Sequence, residues 1–191
     1  QAIYGIWDSQ MADWNGKGSL KFRSVAANVK PSVSMLTAQT KGGDNLLTKN
    51  EVCWADAGSC ASTPQYGWYQ NLSSKVTDGV TQYEQVINNP ATNKTAVFFN
   101  TYIDGSSTVI SCDEVPSSGL TYGVDYLTGK GIDNVFDGSI GAYAMNYANV
   151  GDVTIIMVDG IPYLQIKTKE GKLTFIKLNI PNLPNENVTI K

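Results

Sequence analysis

Histidine is missing from all 191 residues. That absence removes His-based triads, His general bases and His metal ligands together. Charge is scarce: only 16% of residues are Asp, Glu, Lys or Arg. Fourteen Lys and Arg stand against 17 Asp and Glu, so the net charge is −3 and the isoelectric point about 4.9. A nucleic-acid partner needs a basic footprint, which this chain lacks. No polybasic cluster favours a membrane surface. No apolar run reaches the length of a bilayer span, so membrane insertion by a helix is not expected. Helical periodicity is also lacking. The best candidate is the weak run "GVTQYEQVIN" over 79–88, and it reads as strand plus turn.

What remains is 42% hydrophobic, with 18 Gly and 10 Tyr, and suits an all-β protein with a sizeable core. "AIYGIWD" (2–8), "SVSMLTAQ" (32–39), "AVFFNTYID" (96–104), "DVTIIMVDG" (152–160), "IPYLQIKT" (161–168) and "LTFIKLNI" (173–180) are short strand-like runs bounded by Gly, Asp, Asn or Pro. Asp159-Gly160 and Glu170-Gly171 predict two tight turns, which makes 152–180 a three-stranded meander. "DVTIIMV" is continuously apolar and reads as a strand buried on both faces. Residues 41–66 and 104–120 read as long loops and as candidate contact surfaces. Gln1 is not a translation start, so a processed product or a piece of a longer chain is expected.

Strand–turn–strand units recur around 2–8, 96–104, 120–130 and 153–180. At roughly 40–45 residues per four-stranded blade, the chain corresponds to about four blades of a β-propeller or partial propeller. The expected layout is a single domain over 1–180, possibly part of a larger ring, followed by an extended tail over 181–191. An open arc would leave apolar blade faces uncovered.

Candidate sites are few. Cys53 and Cys60 flank "CWADAGSC"; in an exported protein they are expected to form a local disulfide, the other reading being two thiols. Cys112 is left over. Trp54, inside that loop, is either a plug or an exposed contact residue, and Trp7 reads as core. Asp133, Asn134 and Asp137 share the run "DNVFDG", but their spacing departs from a calcium loop and a solvated turn is the simpler reading. Asp113 and Glu114 are adjacent and diverge in an extended chain. Asn71, Asn93 and Asn187 head Asn-x-Ser/Thr triplets. "TYGVDYLTGK" (121–130) reads as a blade corner, with Asp125 and Thr128 bonding across the turn and Gly129 in a backbone geometry closed to other residues. No Trp follows it, so Ile132 or Phe136 is expected to pack there.

Taken in order, "YGIWDS" (4–9), "LTAQT" (36–40), "GWYQNL" (67–72), "YEQVINNP" (83–90), "VFFNTYI" (97–103), Cys112 and "LTYGVDYLTGKG" (120–131) resemble the C-terminal β-propeller of PilY-type type IV pilus proteins. The likeness spans about residues 4–131 and weakly continues to 180. The chain departs from that family at Tyr83-Glu84-Gln85, where the family has Gly-Glu-Arg, and it lacks the family's calcium loop. The resemblance implies a non-enzymatic, exported module at the pilus tip. It would touch minor pilins, a host or abiotic surface and the remaining propeller chain, and act in pilus assembly, surface adhesion and twitching motility. No cofactor is expected within this chain; if the intact protein carries the family's calcium loop, the resemblance implies that it lies upstream of these residues. Two other readings stand beside it: a quinoprotein-like propeller enzyme, and an outer-membrane assembly scaffold with similar blades.

Overall fold

A computed structural model describes residues 1–6, 32–54, 65–77, 80–93, 95–103, 118–139, 141, 149–168 and 171–180. Every regular element among them is a β-strand, apart from one 3₁₀ turn at Val33–Met35. In chain order the strands are β1 (Ala2–Ile6), β2 (Thr37–Gln39), β3 (Gly67–Asn71), β4 (Ser74–Thr77), β5 (Val80–Tyr83), β6 (Ala91–Thr92), β7 (Ala96–Asn100), β8 (Thr121–Asp125), β9 (Asn149–Val158), β10 (Ile161–Thr168) and β11 (Leu173–Lys177). The run 32–39 thus yields a turn and a three-residue strand rather than one long strand.

Four small sheets result. The first has the order β1-β3-β2 and is mixed: β1 runs antiparallel to β3, and β2 parallel to it. β4 and β5 form an isolated hairpin. The middle sheet is β6-β7-β8, and the last is the antiparallel meander β11-β10-β9. Asp159 and Gly160 both have positive φ (51° and 77°), as a two-residue turn between right-twisted strands requires.

The middle sheet is covered on both faces. Period-2 alternation in "AVFFN" sends Ala96 and Phe98 to one side and Val97 and Phe99 to the other. On the first side Phe98 meets Val135, Phe136, Val153, Leu164, Ile166, Ile176 and Leu178, the inner face of the last sheet. On the second side Phe99, Tyr122 and Val124 meet Trp68, Leu47 and Val52. Phe99 and Tyr122 stack at 4.7 Å between ring centres, 6° from parallel.

One sequence expectation is corrected here. β9 is not buried on both faces: Val153 points into the core while Val158 is exposed. The strands covered on both sides are β7 and β8. Residues 41–54 hold no named strand, in keeping with the loop reading, but the loop is anchored: Leu47 and Val52 sit in the core and Lys41 bridges Leu47.

Candidate functional site

Among the described residues, two clusters of buried polar groups lie at the joint between the first and middle sheets. β8 ends at Asp125, and the chain turns back through Tyr126–Lys130. The Asp125 carboxylate accepts from the Thr128 N–H (2.8 Å) and from its hydroxyl (2.7 Å). The Gly129 N–H donates to the Asp125 carbonyl (2.8 Å), and Asp125 N–H to the Lys130 carbonyl (2.8 Å). Gly129 has φ +67°, and a Cβ there would lie 2.2–2.7 Å from the Trp68 indole. Only glycine lets the indole lie against the corner's backbone. Trp68 packs over Gly5 on its other strand neighbour in the same way. Its indole N–H donates to the Tyr126 carbonyl at 3.1 Å.

Trp68 therefore corrects the expectation for this corner. The aromatic that packs on the Thr-Gly turn comes from upstream, on β3. Phe136 instead packs near Phe98 (6.2 Å between ring centres) on the opposite side of the middle sheet, with Ile132 beside that cluster.

Gln39 clamps the same corner. Its amide nitrogen donates to the carbonyls of Asn50 (2.8 Å) and Thr128 (2.9 Å). Its amide oxygen accepts from the Thr48 hydroxyl (2.8 Å) and the Asn50 N–H (3.1 Å). All four hydrogen-bonding valences of a fully buried amide are used. Gly131 N–H adds a bond to the Thr48 carbonyl, and Lys130 pairs with Glu51.

Glu84 forms a second polar knot. It is fully buried, immediately after β5. Its carboxylate accepts from Ser73 N–H (2.8 Å), from the Thr101 hydroxyl, and from the Tyr122 hydroxyl, which lies 3.0 and 3.1 Å from the two oxygens. Burial, then the Glu84 charge and the bond to it, push the Tyr122 phenol well above its ordinary range. Tyr122 stays protonated and donates. This carboxylate ties the exit of β3 to β7 and β8. In the sequence Glu84 stands out only as the residue of Tyr83-Glu84-Gln85 that keeps the acid of the family's Gly-Glu-Arg; its polar neighbours Gln82 and Gln85 give no sign of burial.

The remaining candidates fall as follows. Asp133 is paired with Lys49, and the Asn134 carboxamide oxygen accepts from Gly141 N–H at 3.1 Å, so "DNVFDG" is a bonded turn. Among the described residues no three His, Cys, Asp or Glu side chains gather as a metal site. Trp54 is half-buried, packs against the Trp68 cluster and bridges Gln65; it is a plug. Cys53 is half-buried and disulfide-bonded, while Cys60, and with it the expected pairing, lies outside the described residues. So do Trp7, Cys112, Asp113, Glu114, Asn187, the loop 104–117 and the tail 181–191. Asn71 is exposed at the end of β3. The Asn93 side chain is turned inward, accepting from Thr95 N–H (2.8 Å) and Ala96 N–H (2.7 Å).

This arrangement fixes sheets to one another: the Asp125 carboxylate, the Thr128 hydroxyl, the Gln39 amide and the Glu84 carboxylate are all engaged with protein groups. Among the described residues no helix is long and apolar enough to cross a membrane. Compared with known proteins, the chain matches no family model, no curated relative and no solved structure.

Proposed function

We propose that the chain is a non-enzymatic β-scaffold of the PilY kind, built from propeller blades. On this reading it works outside the cell at the tip of a type IV pilus. It acts in pilus assembly, attachment and twitching motility by contacting minor pilins. The observation that supports it most is the corner: the "LTGK" turn, which the resemblance treats as structural, is engaged by Trp68 of "GWYQNL" and Gln39 of "LTAQT". Three separate pieces of the resemblance therefore meet in space at one joint. Stacked sheets suit contact work because they hold loops on a rigid base. The Cys53–Cys60 disulfide belongs to the same proposal, and would hold a loop beside that joint.

The test is direct binding. Purified chain is immobilised and titrated with purified minor-pilin head domains, with barrel-assembly lipoproteins and periplasmic components as a second arm. Saturable binding to minor pilins alone is the expected result. Binding to the assembly components alone, or a quinone absorbance band after addition of pyrroloquinoline quinone and calcium, would sink the reading.

A further inference from the structure

The first sheet ends in a strand with a bare backbone edge. The Leu72 N–H donates to the Gln1 carbonyl (2.9 Å), and from there the bonded positions of β1 alternate through Ile3 and Gly5. Ala2, Tyr4 and Ile6 therefore aim their N–H and C=O groups away from β3. None of these groups has a partner among the described residues. Proteins usually blunt such an edge with Lys, Pro, a bulge or a cover. Other edges here are covered. At β2 the Asn50 carboxamide donates to the Ala38 carbonyl (2.7 Å), and the Thr48 hydroxyl accepts from Thr40 N–H (2.8 Å). At β8 the Asp125 N–H reaches the Lys130 carbonyl, and the Ile132 N–H the Gly123 carbonyl (3.4 Å). At β11 the Asp137 N–H reaches the Lys177 carbonyl (3.0 Å). β1 has none of these devices: its sequence, AIYGI, holds no Lys, no Pro and no break in register.

Apolar groups flank this edge on both sides. On the outer face stand Tyr4 and Ile6, 50% and 59% exposed, and Tyr69 stacks on Tyr4 at 6.2 Å. On the inner face Gly5 lies under the Trp68 indole, whose N–H reaches the Tyr126 carbonyl. That brings the exposed corner residues Tyr126 and Leu127 alongside the Gly5 end of the edge. The strands β1, β2 and β3 contain no charged residue at all.

We propose that the outer edge of β1 binds an extended, uncharged segment of a partner protein, which joins the first sheet as an added strand. Only another backbone can meet the alternating N–H and C=O groups of Ala2, Tyr4 and Ile6, so the ligand is a polypeptide in β conformation. Main-chain bonds hold such a strand, and the flanking side chains choose its sequence. The lack of charge along β1–β3 selects against Lys, Arg, Asp and Glu in the segment, since each would be desolvated with no counter-charge. A β-branched or aromatic residue fits opposite Tyr4. The proposal depends on this edge and not on the pilus reading.

A random heptapeptide library displayed on phage, selected against the whole chain, tests it. The recovered peptides are expected to be uncharged, with alternating β-branched or aromatic residues. Tyr4→Pro removes one outward N–H and leaves the bonds to β3 in place, so its melting temperature should stay close to the wild type's. It should weaken the recovered peptides by about tenfold. Tyr4→Phe keeps that N–H and should bind them as the wild type does. Ala2→Pro removes the neighbouring outward donor and is the second variant should Tyr4→Pro melt early. Recovery of no peptide, or of peptides that bind the proline variants equally well, overturns the proposal. So does a wild type that recovers no peptide and forms a dimer lost in Tyr4→Pro, because the edge then belongs to a second copy.

Discussion

The two faces of the middle sheet are held by different physics. Toward the last sheet the joint is mainly apolar: Phe98, Phe136, Leu164, Ile166, Ile176 and Leu178 interlock, and the buried polar pair on that face of the middle sheet, Thr121 and Asn100, bonds to itself. Toward the first sheet the same strands meet Trp68, Gln39 and, through Tyr122, Glu84. An apolar joint holds by area and tolerates small changes of angle. A polar joint holds by geometry, and each buried group must find its partner or cost free energy. The first joint therefore sets strength, and the second sets orientation.

Gly129→Val strikes the second joint hardest. A branched side chain at φ +67° is strained, and its Cβ overlaps the Trp68 indole. Strain, overpacking and loss of the indole bond together cost about 5 kcal/mol. Hydrogen exchange should show amides of β1–β3 losing protection while β9–β11 keep theirs. Equal loss across all sheets would mean the two joints are one cooperative unit. Phe98→Ala is the opposite cut. It opens a cavity in the apolar joint and is expected to cost about 4 kcal/mol. Protection should then fall first in β9–β11.

How much of this was legible beforehand follows from what each element depends on. The meander of β9–β11 was readable because its causes are local: alternating apolar residues and the Asp159-Gly160 turn. The corner at 125–130 was readable for the same reason. What lies on that corner was not, since Trp68 and Gln39 reach it from other strands and no local pattern marks the pairing. The pattern of "SVSMLTAQ" promised a strand, but only 37–39 find a partner, in β3. The apolar run of β9 misled about burial because composition records what a strand can bury, not what is there to cover it.

Tyr122→Phe separates charge from packing within the polar joint. The ring still stacks on Phe99. The loss of the hydroxyl's bond to Glu84 costs about 1–2 kcal/mol near neutral pH. The sharper readout is at high pH. An unfolded tyrosine ionises near pH 10, whereas burial and Glu84 keep Tyr122 protonated in the fold. Its raised pKa means its stabilising contribution is fully present below the ordinary phenol range and is lost as pH rises above it. There the wild type should lose about 1.4 kcal/mol more per pH unit than Tyr122→Phe. Denaturant midpoints of both chains from neutral pH to pH ~12 test this; parallel curves would mean that Tyr122 is not held as described.

Gln70 gives the smallest effect and the opposite sign. It sits beside Gln39 in register, equally buried, on the face that carries Trp68. Gln39 has four partners, while neither amide atom of Gln70 has a protein partner. A buried amide without protein partners keeps its desolvation cost, and an apolar side chain of similar length does not. Gln70→Met is therefore expected to raise stability by about 0.5–1 kcal/mol, whereas Gln39→Met lowers it by about 2 kcal/mol or more. Thermal melts of the two variants compare neighbours with the same side chain, strand register and burial. If both changes destabilise alike, Gln70 has a partner after all, and the polar joint extends one strand further than the Gln39 clamp.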